Sequence, residues 1–364
     1  MQESFSIFSS SNSYQVQIGE NLLEQVINEH KDSFYIIDSN LKKIVPIKFQ
    51  NYLFVDATET NKSLEKIPEI ILRMRYAGLN RTSHVVAIGG GIIQDIVTFA
   101  ASIYMRGISW TYMPTTLLSM VDSCIGGKSA INTMGYKNLI GNFHPPKNIS
   151  IDLRFLETLN NEQIICGLYE AVKISYAKDI ETFLNYLDNS PKLPLNNSTA
   201  QNLISRVLKT KKWFIEIDEF DQKERLILNF GHTFCHALES SSSYTIAHGI
   251  AVGMGMIIAI QFSKNENLLN DKGIERTELL KNYIKSIINN YISNLIEQYP
   301  KLDLNYVLKN FDNDKKHKTG SYRIILPKDD GGLVMINEDK TENIRQKIIK
   351  AYQEGLKIVG YPNF

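Results

Sequence analysis

The segment SHVVAIGGGIIQDIVTFAASIYM (residues 83–105) constrains the fold more than any other stretch of the chain. A short apolar run ends in three glycines, and apolar residues at helical spacing follow. This order predicts a buried strand that turns tightly into a helix whose free N–H groups are suited to a pyrophosphate. The spacing is not GxGxxG, because Ile92, Ile93 and Gln94 follow the glycines, so a tight turn alone explains the residues equally well.

Strand and helix patterns alternate around this segment. Further strands are predicted at 33–38, 51–57 and 109–116, and helices at 63–79 and 94–105. Apolar strands alternating with helices predict an α/β domain with a parallel sheet covered on both faces. Beyond about residue 152 the pattern becomes mainly helical, apart from a polar loop at 186–201 and a short strand at 322–327. The predicted domains are therefore 1–152, α/β, and 153–364, mainly α-helical.

Charge and cysteine content narrow the classes of function. The formal net charge is +1, which gives no global indication of nucleic acid or membrane binding. The three cysteines are far apart without a CxxC, which favours reduced thiols in a cytoplasmic protein. The N-terminus does not read as a signal peptide. The apolar run at 249–262 is short and interrupted by glycines, so it predicts a buried helix and not a membrane span.

Two basic loops are candidates for anion binding. Lysines stand among glycines in MVDSCIGGKSAINTMGYKNLIGNF (120–143), where they are natural partners for phosphate, although a polar surface loop explains them too. The second loop, NDKKHKTGSY (313–322), precedes the late strand. It is either solvated surface or a segment that closes over an anionic substrate.

Three histidines lie within GHTFCHALESSSSYTIAHG (231–249), and the spacing leaves their roles open. His232 and His236 share one helix face, as paired zinc ligands do, but such a pair is more often structural. A third histidine, His248, and a distant acid raise the odds of a metal site. Glu170 is that acid, one helical turn from Lys173 among apolar neighbours, and a buried acid needs a partner such as a cation.

Taken together, these segments resemble 3-dehydroquinate synthase and the wider sugar phosphate cyclase family, over residues 33 to 330. The resemblance is carried, in family order, by GGGIIQD, YMRG, PTTLLSMVDSCIGGKSAIN, KNLIG, GLYEAVK, RLILNFGHTFCHALE, HGIAVGMGM and DKK. It implies an N-terminal NAD-binding α/β domain, a C-terminal helical metal-binding domain and an active site in the cleft. The family enzyme uses NAD catalytically to convert 3-deoxy-arabino-heptulosonate 7-phosphate into 3-dehydroquinate and phosphate, in the shikimate pathway.

The resemblance assigns roles residue by residue. The metal ligands, for zinc or cobalt, are Glu170, His232 and His248. The catalytic candidates are Asp122, Lys173, Asn229 and His236, the last near the substrate phosphate. The substrate-binding candidates are Arg106, Lys128, Asn138, Lys211, Arg225, Lys315 and Lys316. The NAD-binding candidates are Asp38, Glu59, Lys62, Gly90, Gly91, Asp95, Thr115, Thr116, Lys128, Lys137, Phe155 and Thr158. Arg106 matches an arginine donated across a dimer interface, which implies a homodimer.

The choice of substrate within the family depends on three residues. Cyclases whose substrates have no carboxylate tend to lose the arginine and asparagine before the first metal histidine, whereas this chain keeps Arg225 and Asn229, and Lys211 as well. A buried arginine is costly without an anion, which favours a carboxylate-bearing substrate. The alternatives are a divergent cyclase of a cyclitol or amino-shikimate route, an NAD- and metal-dependent alcohol dehydrogenase, and a non-catalytic binding protein descended from the fold, which predicts loss of a metal ligand that this chain keeps.

The chain departs from the family pattern at several positions. The family usually has His-Gly-Glu at this point, but residues 248–250 are His-Gly-Ile here. Ile250 therefore removes an acid expected beside the metal ligands. Gln94 stands where many members have glycine, and INTMGYKN replaces the commoner loop.

Overall fold

The computed structural model describes residues 2–10, 13–191, 193–314 and 316–364. The chain forms two compact units. The first unit comprises Met1–Leu159 and Pro191–Asp221, and the second comprises Asn160–Ser190 and Gln222–Phe364. The sequence analysis placed one boundary at 152/153. The units instead divide at 159/160, and a later segment returns to the first unit.

The described residues form eleven strands and twelve α-helices. The strands are β1 (Glu3–Ile7), β2 (Tyr14–Gly19), β3 (Phe34–Asp38), β4 (Tyr52–Val55), β5 (His84–Gly89), β6 (Ser109–Pro114), β7 (Ile131–Thr133), β8 (Tyr136–Ile140), β9 (Asn148–Asp152), β10 (Ser321–Lys328) and β11 (Gly332–Asp339). The helices are α1 (Leu22–Glu29), α2 (Ile67–Tyr76), α3 (Gly91–Ile103), α4 (Asn161–Lys178), α5 (Ile180–Asp188), α6 (Asn197–Ile217), α7 (His232–Ser241), α8 (His248–Asn265), α9 (Asp271–Ile287), α10 (Ser293–Glu297), α11 (Leu304–Asp312) and α12 (Glu342–Ile358).

The first unit is built on a seven-stranded sheet in the order β1-β2-β9-β6-β5-β3-β4. All its pairs are parallel except β1 with β2, which form an antiparallel edge. The predicted parallel sheet is confirmed, and the strands predicted at 33–38, 51–57, 83–91 and 109–116 belong to it. Strands β1, β2 and β9 of this sheet are additional to the predicted ones.

The strand order changes direction between β3 and β5. From β3 the chain moves to one edge through β4, and from β5 it moves the other way through β6. Ile37 pairs with Ile88, so Asp38 and Gly89 end neighbouring strands at the same level. Such a reversal leaves a crevice at the carboxyl ends of the strands, which is where open α/β sheets bind their ligands.

Helix α6 explains why the unit boundaries differ from the prediction. It follows the polar loop and belongs to the first unit, where it packs against β1, β2 and the turns after β6 and β9. Buried Leu203, Val207, Leu208 and Phe214 recur at helical spacing on one face. Periodicity predicts this helix but carries no information about which sheet covers its apolar face.

The second unit is a set of packed helices around α8, whose residues are almost all buried, as predicted for the apolar run. Helix α8 contacts α4, α7 and α12. Gly249 is needed at its start, because a Cβ there would lie 2.3 Å from the Cα of Cys166 on α4. The hairpin of β10 and β11 replaces part of the helical structure predicted near the C-terminus. None of the helices in the described ranges is both long and apolar enough to cross a membrane.

Candidate active-site residues

Three side chains of the second unit form a candidate metal centre. Glu170 lies in the middle of α4, and His232 and His248 are the first residues of α7 and α8. The Oε1 atom of Glu170 lies 3.6 Å from Nε2 of His232 and 3.3 Å from Nε2 of His248. The close packing of α8 against α4 at Gly249 brings His248 to the predicted acid.

The spacing of these atoms fits a small divalent metal. Metal–ligand bonds of about 2.0–2.2 Å in a tetrahedron place ligand atoms about 3.3–3.6 Å apart. The two measured distances, 3.3 and 3.6 Å, fall at these limits. One carboxylate and two imidazoles are a donor set that zinc and cobalt accept, and three protein ligands leave a position open. The residues present therefore fit the metal that the family resemblance implies.

Buried charge surrounds this centre. Nζ of Lys173 lies 2.5 Å from Oε2 of Glu170, and both side chains are almost fully buried. Burial, and then the charge of Lys173, hold the pKa of His232 well below its usual range. A neutral imidazole is the form that binds a metal, so this environment favours ligation by His232.

A second carboxylate lies behind His248. Glu239 on α7 has its Oε1 3.2 Å from Nδ1 of His248, and its Oε2 3.4 Å from the thiol of Cys235. Burial opposes ionisation of Glu239, but the hydrogen bond and charge of His248 outweigh it and lower the pKa to about 2. The outer nitrogen of His248 therefore has an acid partner, although Ile250 is an apolar, fully buried residue of α8.

His236 faces a partner that the sequence analysis did not identify. Its Nδ1 lies 2.8 Å from Oδ2 of Asp314, in the loop between α11 and β10. Burial lowers the pKa of His236. Although burial opposes it, the hydrogen bond from His236 lowers the pKa of Asp314 to about 2.

The same loop holds one of the predicted substrate lysines. Nζ of Lys316 donates to Oδ1 of Asn229 over 2.7 Å, so these two predicted residues meet. Lys315, the other predicted lysine, lies outside the described residues. Arg225 is buried within the 3₁₀ turn Glu224–Asn229 that precedes α7.

In the first unit, the predicted NAD-binding residues follow the carboxyl ends of parallel strands. Asp38 ends β3, Gly90 and Gly91 begin α3 after β5, and Thr115 and Thr116 follow β6. Phe155 and Thr158 lie in the 3₁₀ turn after β9, where the Thr158 hydroxyl donates to the Phe155 carbonyl. Gly90 approaches Thr116 closely, since a Cβ would lie 3.0 Å from its Cγ2. This edge is the one where the strand order reverses.

An ion-pair network links five of the predicted residues at this edge. Nζ of Lys62 lies 3.1 Å from Asp95 and 3.4 Å from Glu59, and donates to Asn138 over 2.8 Å. Nζ of Lys137 lies 3.6 Å from Glu59. Burial raises the pKa of Asp95 to about 6, against the opposing effect of Lys62. Burial disfavours charged Lys62, but Asp95 and Glu59 outweigh it and raise its pKa.

Two further predicted lysines of the first unit are paired with acids. Lys211 on α6 forms an ion pair with Asp122 and donates to the Asp122 carbonyl over 2.5 Å. Nζ of Lys128 lies 2.6 Å from Oδ2 of Asp221. Gln94, which departs from the family pattern, is buried and exchanges hydrogen bonds with Ser123.

Arg106 differs from the other predicted residues in its setting. It is exposed and ends the short 3₁₀ turn Tyr104–Arg106, where its backbone is left-handed, φ 69°. Ile103 and Met105 beside it are also exposed. An exposed arginine among apolar side chains is suited to contact another protein surface.

The sequence analysis missed three acids that the structure places against predicted residues: Asp221, Glu239 and Asp314. Asp314 is part of the quoted DKK motif, and Glu239 ends the quoted RLILNFGHTFCHALE. Glu239 lies three residues after His236 and seven after His232 on α7. A helical projection therefore indicates proximity to this face, but the contact with His248 requires the tertiary fold.

Comparison with known proteins gives consistent matches along the chain. The family model described as 3-dehydroquinate synthase N-terminal matches residues 52–166, and the one described as 3-dehydroquinate synthase C-terminal matches residues 167–317. A 3-dehydroquinate synthase of Dictyoglomus turgidum is 35% identical over 354 residues, covering 94% of this chain and 95% of that protein. One of Prochlorococcus marinus is 36% identical over 320 residues, covering 86% of this chain and 85% of that protein.

Solved structures show the same fold at lower identity. A 2-deoxy-scyllo-inosose synthase complexed with carbaglucose-6-phosphate, NAD⁺ and Co²⁺ superposes with a TM-score of 0.82 at 23% identity, covering 97% of this chain and all of that one. A 2-epi-5-epi-valiolone synthase from Streptomyces hygroscopicus with NAD⁺ and Zn²⁺ bound gives 0.77 at 23% identity, covering 96% and 98%. An iron-containing alcohol dehydrogenase of Thermotoga maritima gives 0.60 at 17% identity, covering 94% and 97%.

Proposed function

The chain belongs to the 3-dehydroquinate synthase family, and from that premise we propose that it converts 3-deoxy-D-arabino-heptulosonate 7-phosphate into 3-dehydroquinate and phosphate. The observation that carries the proposal is the cluster of Glu170, His232 and His248 at metal-ligand spacing, with buried Arg225 just before α7. The first unit is proposed to bind NAD and the second a divalent metal, zinc or cobalt. When bound, the metal supplies a Lewis acid for the substrate oxygens, and NAD accepts and returns a hydride.

The second unit supplies groups for binding and proton transfer. Lys173 contacts the second oxygen of Glu170, so its ammonium is the partner of this buried carboxylate. His236, with Asp314 on its other nitrogen, holds or moves the proton that accompanies phosphate elimination. Lys316 offers its ammonium to the anionic substrate and is oriented by Asn229.

The first unit orients NAD and part of the substrate. The N-terminus of α3, beside Gly90 and Gly91, offers N–H groups for the pyrophosphate. Asp95 is held against Lys62 at this helix and suits the hydroxyls of a ribose. Asp122 and Lys211 fix one another, which keeps a buried ammonium in place for an anion.

A carboxylate-bearing substrate is favoured over the other cyclase substrates. Arg225 is 3% exposed, and a guanidinium binds a carboxylate through two parallel hydrogen bonds. Deoxy-scyllo-inosose and valiolone synthases resemble this chain in fold at 22–23% identity, whereas the 3-dehydroquinate synthases reach 34–36%. The burial of Arg225 and the higher identity to 3-dehydroquinate synthases both support the heptulosonate phosphate as the substrate.

The test is phosphate release by purified protein supplied with NAD and zinc or cobalt. We expect release from the heptulosonate phosphate and none from glucose 6-phosphate or sedoheptulose 7-phosphate. Release from one of those sugars alone would establish a different cyclase. Net NADH formation from an alcohol without phosphate release would indicate a dehydrogenase instead.

Two variants separate the roles of the histidines on α7. His232→Ala should lose both bound metal and activity, whereas His236→Ala should lose activity and keep its metal. Metal content is measured by atomic absorption on zinc-loaded protein that has been dialysed to remove unbound zinc. Loss of metal from His236→Ala would show that the roles have been divided wrongly.

We further propose a homodimer in which Arg106 acts in the partner's site. The exposed Ile103 and Met105 beside it support a contact surface. Mixing equal amounts of inactive Arg106→Ala and inactive His232→Ala protein should restore about one quarter of wild-type activity, because half of the dimers are then mixed and each mixed dimer carries one complete site of its two. No recovery after subunit exchange would argue against the shared site.

The buried thiols of Cys124, Cys166 and Cys235 suit the cytoplasmic location that we also propose.

A further inference from the structure

The loop between α11 and β10 is attached to two other elements of the second unit and to both of its own flanks. Asp314 contacts His236 on α7, and Lys316 contacts Asn229 in the turn before α7. His317 bridges the loop to its own flanks, because its Nε2 lies 2.9 Å from the Phe311 carbonyl and its Nδ1 accepts the Arg323 N–H over 3.0 Å. A loop held in this way presents its carboxylate in one position.

The two oxygens of Asp314 have different partners. Oδ1 accepts the backbone N–H of Lys316 over 2.8 Å, and Oδ2 lies 2.8 Å from Nδ1 of His236. The Asp314 side chain is only 2% exposed, so water does not compete for these contacts. An ionised carboxylate only accepts hydrogen bonds, and therefore Nδ1 of His236 must be the protonated nitrogen.

We propose that Asp314 is a positioning residue, whose carboxylate fixes the ring of His236 in the Nδ1–H form and leaves Nε2 as the nitrogen that accepts a proton. The inference rests on the proposed function only for the use made of Nε2, in phosphate elimination. The tautomer and ring orientation follow from the contacts alone. Because Asp314 and Lys316 share one short loop, the proton acceptor and the anion-binding lysine are positioned together.

Asp314→Asn tests the proposal with almost no change of shape. The Lys316 N–H still requires an oxygen at the first position, so the new amide places its NH₂ group opposite Nδ1 of His236. A donor there stabilises the opposite tautomer, with the proton on Nε2. The expected consequence is a kcat at least about 100-fold lower, within the range for a lost general acid–base group. We expect KM to change less than threefold and the zinc content to remain the same.

The tautomer is read directly by two-bond ¹H–¹⁵N correlation on zinc-loaded protein labelled in histidine, with His236 assigned from His236→Gln. Wild type should show Nδ1–H, Asp314→Asn should show Nε2–H, and Asp314→Ala should show a mixture. The matched control is Asp303→Asn, an exposed aspartate that caps α11 through the Asn305 N–H and contacts no histidine. It should leave the His236 signals and kcat as in wild type.

Two results would overturn the inference. One is a wild-type His236 with its proton on Nε2, and the other is an Asp314→Asn protein that keeps the Nδ1–H form. Should the wild type release no phosphate from the heptulosonate phosphate, the proposed function would fail. The spectra would still decide the role of Asp314, so the two failures are distinguishable.

Discussion

Replacing Glu239 should weaken metal binding without unfolding the protein. Glu239 is not among the residues proposed to bind the substrate. Its Oε1 lies 3.2 Å from Nδ1 of the proposed metal ligand His248, the ring nitrogen that faces away from the metal centre. Its low pKa, about 2, keeps it ionised at neutral pH and hence a strong acceptor for the Nδ1–H of His248. That hydrogen bond selects the tautomer whose Nε2 lone pair is available for the metal.

The expected loss of metal affinity follows from the geometry of the contact between Glu239 and His248. A hydrogen bond to a charged group contributes about 1.5–3 kcal/mol when well shielded from water. The Glu239 side chain is 14% exposed and His248 is 39% exposed, so we expect the lower part of that range. Loss of such a partner lowers metal affinity about 10–100-fold, which is about 1.4–2.7 kcal/mol. Glu239→Gln keeps an acceptor and should lower the affinity about 10-fold, and Glu239→Ala somewhat more, about 10–40-fold.

The assay is a titration of metal-free protein with zinc in the presence of a chromophoric competing chelator. Glu297→Gln is the matched control, because Glu297 is an exposed glutamate at the end of α10. Melting temperatures of the metal-free proteins verify that each variant is folded. Affinities of both Glu239 variants within twofold of wild type would refute the reasoning, and would mean that α7 and α8 alone orient His248.

Three further predictions concern packing, a buried ion pair and pH. Gly249→Ala should cost about 1–3 kcal/mol in urea unfolding and weaken zinc binding, because the new carbon lies 2.3 Å from the Cys166 Cα; Gly19→Ala, with 3.5 Å to Gln2, should change little. Lys62→Met removes the ammonium partner of Asp95, whose side chain is 19% exposed and keeps the Ala130 N–H, and should cost about 1–3 kcal/mol at pH 8 and less at pH 5, where Asp95 protonates. Burial, then the charges of His30 and Lys147, lower the pKa of His84 to about 4, so the folded state binds its proton less readily than the unfolded chain. The contribution of neutral His84 to the free energy of unfolding is thus complete above pH 6.5 and is lost as the pH falls toward 4. His84→Gln should reduce this pH dependence of the free energy of unfolding, measured by urea titration at each pH. An unchanged pH dependence would contradict the assignment.

Local patterns predicted the elements that the chain builds from neighbours in sequence. The run into GGG at 89–91 is β5 followed by α3, and the mainly apolar run at 249–262 is the interior of α8. The helical pattern of ETLNNEQIICGLYEAVKISYA allows a helix from residue 157, but α4 begins at Asn161, because Asn160 and Gln163 form a capping box after a 3₁₀ turn. A strong cap thus fixed an end that apolar spacing left uncertain by several residues.

The missed features depend on contacts between distant residues. Asp314 and His236 are 78 positions apart, and Lys62 and Asn138 are 76 apart. Nothing in the periodicity of either segment relates them, since each pair forms only once the helices or strands have packed. The placement of α6 in the first unit has the same origin, because an amphipathic helix shows that a face is buried but not against what.

The missing acid at residue 250 illustrates why site chemistry is better described by contacts than by sequence positions. From the motif alone, Ile250 predicts a weakened ligand environment at His248. In the fold, α7 and α8 pack so that Glu239 reaches Nδ1 of His248, while Ile250 is buried in the apolar interior around α8. An outer-sphere acid acts through its distance and charge, and either helix can carry it. The altered motif therefore does not imply a weak metal site, and the zinc affinity of Glu239 variants measures how much of that support comes from α7.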